Sequence, residues 1–316
     1  MGFFSSLFGS SQPSDESKFV MLRDDGVRAM QMGELPYAEK CFRAALELQD
    51  DLQTQGYLAE ALLRQQRHAD ALPLLQSLAA SPEKSLEIEL LMAQTEGRLG
   101  LYTEERATCE TICQFHPEEP RALYLRAEAD HGLGDDLQAI AHLTQCLTLR
   151  PDYRSARLLR ARVLAAMRQW NEVLEDADLL LHEVPDDEEC LLLRADALAA
   201  TGQHDRAEAD WQAVRAVNPF QTEAVFKLGS LYEATSRWDK ALALYDETIE
   251  LLPDLAEAYR RRGAVKHHLK DEAGAADDLK RALELAPEKA ADYDGEYTNV
   301  ANQMNDRYKR LNPYGF

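Results

Sequence analysis

The chain has 316 residues, 56 acidic against 35 basic side chains and a formal net charge of −21, so it lacks the basic surface that a nucleic-acid backbone requires. Hydrophobic residues make up 45%, enough for continuous burial, yet no apolar run approaches the ~18 residues of a membrane helix. Five scattered cysteines match neither a disulfide framework nor a zinc site, so a reducing cytoplasm is expected, with no metal and no cofactor.

Residues 1–18 read as a flexible N-terminal segment. The start, MGFFSSLFGSS, has no basic region and too short an apolar stretch for a signal peptide. Phe3, Phe4, Leu7 and Phe8 form a small apolar cluster that offers a docking element or a weak membrane contact. Gly2 with Ser6 fits the loose myristoylation pattern, though one acyl chain alone anchors poorly. The polar linker GSSQPSDES (9–17) follows.

Beyond the linker the chain repeats itself. Pro117, Pro151, Pro185, Pro219, Pro253 and Pro287 stand in equal steps of 34 residues. They define units 86–119, 120–153, 154–187, 188–221, 222–255 and 256–289, and two looser copies precede them at 19–51 and 52–85. The eighth place of the unit is small in every copy: Gly26, Ala59, Ala93, Ala127, Ala161, Ala195, Gly229 and Gly263. The twentieth place is Ala38, Ala71, Ala139, Ala207, Ala241 and Ala275, with Glu105 and Val173 as departures. A larger side chain four residues on, such as Phe42, Trp211 or Tyr245, makes one helix face that packs on a neighbour. Gly33, Gly100, Gly134 and Gly202, or Ser236, break the unit in the middle. Each unit is therefore predicted as helix, turn, helix, turn. Residues 290–316 are predicted as a capping helix and tail, because Tyr297, Val300, Met304 and Tyr308 fall on one helical stripe.

The copy VFKLGSLYEATSRWDKALALYDETIELLP carries Leu228, Gly229, Tyr232, Ala241, Tyr245 and Pro253 in the order of a known motif. In this it resembles the tetratricopeptide repeat family. The resemblance implies an all-α fold: a right-handed superhelical solenoid of about eight helix-turn-helix units, closed by the capping helix. It also implies a concave groove lined by the first helix of each unit. On that basis the fifth place (Leu90, Tyr124, Leu158, Leu192, Phe226) and the sixth (Leu91, Leu125, Leu159, Leu193) face the groove, as does Arg162 at the ninth. Two arrangements remain open for this apolar row: an exposed binding wall, or an inner seam buried by the helices themselves.

No phosphate loop, dinucleotide fingerprint, zinc-protease or serine-elbow motif occurs, so no enzyme is expected. The acidic runs Asp135-Asp136 and Asp186-Asp187-Glu188-Glu189 fall in turns, where they favour the start of the next helix. His267-His268 reads as a surface pair. Arg at the seventh place is followed sixteen residues later by Asp in three units, giving the predicted ion pairs Arg160–Asp176, Arg194–Asp210 and Arg262–Asp278; in a fourth, Arg126 is followed by His142. The expected function is a non-catalytic scaffold or adaptor that binds an apolar or amphipathic peptide segment of another protein in the groove. The alternative is a membrane-associated assembly factor anchored through the Phe-rich N-terminus.

Overall fold

A computed structural model of the chain describes residues 14–82 and 84–287. Among them are sixteen α-helices and no strands, the all-α class that the repeat implies. Two compact units divide the chain, one ending at Val163 and the other beginning at Leu164. The first holds α1 (Asp15–Gln31), α2 (Leu35–Leu48), α3 (Leu52–Arg64), α4 (His68–Ala79), α5 (Leu86–Arg98), α6 (Tyr102–Phe115), α7 (Pro120–Gly132) and α8 (Asp136–Leu149). The boundary falls inside α9 (Arg154–Ala166). The second holds α10 (Trp170–Glu183), α11 (Glu188–Ala200), α12 (His204–Val217), α13 (Thr222–Ala234), α14 (Trp238–Leu251), α15 (Ala256–His268) and α16 (Glu272–Leu285).

Consecutive helices pack on one another from α1 through α8 in the first unit and from α10 through α16 in the second, and the small residues set how closely. Ala59, Ala93, Ala127 and Ala195 are 0–1% exposed. A Cβ built on Gly26 would lie 2.5 Å from the Phe42 ring, so this glycine is what lets the ring reach the backbone of α1. Burying such a ring stabilises by roughly 1.5–3 kcal/mol. The starts of α3, α5 and α11 are capped by Asp51, Ser85 and Asp187, which accept the amide three residues on at 2.8, 3.3 and 2.8 Å. Asp187 thereby gives the acidic run at 186–189 a helix-starting role.

Two sequence expectations meet the edges of the described chain. Helix α1 begins at Asp15, inside the segment expected to be flexible to residue 18. The cause is local: Ser14 accepts from the Ser17 amide at 3.2 Å, and Asp15 and Glu16 favour a helix N-terminus. The Phe3, Phe4, Leu7 and Phe8 cluster and the capping segment 290–316 lie outside the described residues. No helix among the described residues is long and apolar enough to cross a membrane.

Candidate functional site

The apolar row divides on burial. Leu90, Leu125 and Leu159 are only 4, 6 and 7% exposed and offer a ligand almost no area. Of the two arrangements open for the row, these three positions take the buried one. Around Leu90 and Leu125 the reason is packing: α5 and α7, the first helices of successive repeats, touch directly. Leu91, Tyr124, Leu158, Leu192, Leu193 and Phe226 are half-buried, and Arg162 is exposed. The Tyr124 ring lies 5.4 Å from that of Tyr153, and burial pushes its phenol up to about 12.

The seventh-place arginines are spoken for. In the second unit, Arg194 meets Asp210 at 2.7 Å and Arg262 meets Asp278 at 2.6 Å. Each also reaches back sixteen residues, Arg194 to Asp178 and Arg262 to Asp246, both at 2.8 Å. These contacts hold both guanidinium pKa values above the ordinary arginine value. In the first unit the backward reach recurs, from Arg126 to Glu110 at 3.2 Å and from Arg160 to the Thr144 hydroxyl at 3.2 Å. Asp176 is buried in the second unit. His142 turns instead to the buried Asp130, at 2.8 Å, which reverses the polarity seen elsewhere: here the acid sits on the first helix and the base on the second. Of the paired histidines, His268 stacks on Trp238 at 4.3 Å and His267 meets Glu272 at 3.1 Å.

A cleft of about 700 Å³ opens within the second unit. Phe226, Lys227, Ser230 and Leu231 line it from α13, whose i, i+4 spacing brings them to one side. Asp196 comes from α11 and Arg261 from α15, while Trp170 and Trp211 come from α10 and α12. Trp211 is 3% exposed and forms the packed floor. Lys227 pairs with Asp196 and, at 3.3 Å, with Glu223. Burial raises the Asp196 carboxyl, and Lys227 pulls it back; burial also works against the Lys227 charge, but Asp196 and Glu223 hold its pKa above the usual value. Arg261 is matched by Glu257 at 3.0 Å and Glu233 at 3.4 Å. Apolar walls with a neutralised polar rim suit an apolar group more than a charged one.

Of the groove positions read from the sequence, the fifth-place Phe226 lines this cleft, and so do the ninth-place Asp196 and Ser230. Lys227 and Arg261 were legible in principle. They occupy the same sixth place as the four leucines Leu91, Leu125, Leu159 and Leu193, so the row turns from apolar to basic in the last two repeats. Trp170 and Trp211 carried no such signal, since they belong to the second helices.

Three family models described as tetratricopeptide repeat match the chain, at residues 24–85 and 192–256, at 120–153 and at 228–301. Together they cover more than half of it. No curated protein sequence matches significantly. Among solved structures, pilF of Pseudomonas aeruginosa aligns with a TM-score of 0.54 and 17% identity, over 67% of this chain and 97% of that one. The MamA protein aligns at 0.50 and 22%, over 54% and 94%. At such identities the likeness is one of fold.

Proposed function

This chain belongs to the tetratricopeptide repeat family, and on that premise we propose that it is a non-catalytic interaction scaffold. It holds an apolar or amphipathic peptide segment of another protein, and the second-unit cleft is where that segment docks. One observation carries this reading: the half-buried Trp170 and Phe226 stand around an open cleft of about 700 Å³, whose cations are already matched by carboxylates. A ligand there gains mainly from covering apolar surface. Covering one large side chain is worth roughly 1.5–3 kcal/mol, so a few contacts give useful affinity.

The test uses short synthetic peptides in which aromatic or aliphatic residues alternate with Ser. Binding is read from tryptophan emission, because Trp170 lines the cleft. The full chain is expected to bind them, and Phe226→Ala to bind about tenfold more weakly at unchanged melting temperature. Equal affinity in the two proteins refutes the assignment of the cleft.

A further inference from the structure

A second, smaller pocket of about 450 Å³ lies within the first unit, between the end of α3, the turn before α4 and the later turns of α5. Its lining differs in kind from the cleft. Arg64, His68 and Arg98 are its basic groups, Gln66 adds an amide, Leu63 and Leu91 are apolar, and no carboxylate lines it.

The basic groups are not equally free. Arg64 is matched by Glu60 at 2.6 Å. His68 meets the Gln66 side chain through Nε2 at 3.3 Å, while its Nδ1 is buried without a hydrogen-bond partner. Arg98 is exposed and makes no hydrogen bond or ion pair with any described residue. The acid that feels its charge is Glu105, fully buried on α6 with neither carboxylate oxygen hydrogen-bonded. Burial pushes that carboxyl up to about 8, which favours its neutral form, and it makes no ion pair with Arg98.

We propose that this pocket is a second binding site, which receives an acidic side chain of a bound peptide: its carboxylate pairs with the Arg98 guanidinium, and an aliphatic neighbour in the peptide covers Leu63 and Leu91. A guanidinium presents a planar fork that matches a carboxylate through two parallel hydrogen bonds. The acidic chain as a whole repels a long run of acids, but screening over ~10 Å at 0.1 M salt leaves a single close contact intact. The occupant is therefore one Asp or Glu set among apolar residues. The inference rests on the chain being a peptide-holding scaffold, but on a different unit and a different chemistry from the cleft.

The test uses the full chain and short synthetic probes, acetylated and amidated, in which Leu and Glu alternate with Ser spacers. Matched probes carry Gln or Lys in place of Glu, and one Gln probe keeps a free C-terminal carboxylate. The Glu probe is expected to bind wild type, about tenfold more weakly to Arg98→Gln, and more weakly still to Arg98→Glu. The Gln and Lys probes are expected to bind no better than Arg98→Glu binds the Glu probe. Replacing Glu on the probe reads the same contact without touching the fold. The proposal is overturned if the Glu probe does not bind, if it binds Arg98→Glu as well as wild type, or if the Gln probe matches it. It is equally overturned if the free-terminus probe matches it, since the ligand is then a chain end. A wild-type chain that binds the apolar peptides but not the Glu probe refutes this site alone; one that binds the Glu probe but not the apolar peptides refutes the cleft alone.

Discussion

Among the described residues, four turns place a residue with a side chain where the backbone suits glycine. Gln66, Arg168, Ser236 and Lys270 have φ of 61, 58, 55 and 69°, in the same left-handed region as Gly33, Gly100, Gly134 and Gly202. The glycines were legible as breaks in the repeat. Gln66, Arg168 and Lys270 were not, because only the geometry of the turn reveals the strain. A Cβ on Gly134 meets nothing within 4 Å, so Gly134→Ala is expected to cost only the conformational term, about 1 kcal/mol, by chemical denaturation. Lys270→Gly relieves a similar strain but frees the unfolded chain, so it is expected to leave stability within about 0.5 kcal/mol of wild type. Glu105 is the other telling residue, since it takes a place that is alanine in six other repeats. Gly97 makes room for it: a Cβ there would sit 2.5 Å from its Oε1. Burial pushes the Glu105 carboxyl up to about 8, with Glu128 and Glu96 adding to the shift and Arg98 opposing it. The unfolded chain ionises this group near the ordinary value of 4.5, so folding favours its protonated form. Its contribution is full below pH 4.5 and is lost as pH rises toward about 8, by at most ~1.4 kcal/mol per pH unit. Glu105→Gln is expected to flatten that slope in melts across the range and to raise stability most at pH 8; an unchanged slope refutes the assignment.

At the scale of helices, the arginines show what a sequence correlation can and cannot find. The forward partner sixteen residues on was visible because Asp recurs there. The backward partner was hidden because its chemistry varies: Glu110, Thr144, Asp178 and Asp246 share an acceptor oxygen but not a residue type. In Arg194 one side chain thus ties α11 to both α10 and α12. Asp210 is 7% exposed, so Arg194→Ala leaves a buried carboxylate unpaired at an expected cost of about 3 kcal/mol. The double change Arg194→Met with Asp210→Leu is expected to recover most of that loss, because apolar residues of similar volume need no partner. Thermal melts of the three proteins decide it. A double variant as unstable as the single one means that the ion pair adds to stability beyond filling space.

For the whole molecule, the spacing of prolines and small residues made the fold class and family legible, because a repeat states its packing rule many times over. The docking surface was less legible. Whether a leucine at a given place is wall or core depends on how closely successive helices approach, and no single repeat encodes that distance. Net charge acts at this scale too. A chain at −21 repels itself, so its melting temperature is expected to rise as salt goes from near zero to about 0.15 M; a fall means the matched ion pairs outweigh the repulsion. The doubly matched arginines bear finally on how such a chain can lengthen or shorten. Excising the 34 residues 195–228 keeps the register of the repeat but brings Leu244 to the position opposite Arg194 that Asp210 now fills. Loss of a repeat at that point therefore strips Arg194 of its forward acceptor, which makes the units alike in shape without being exchangeable.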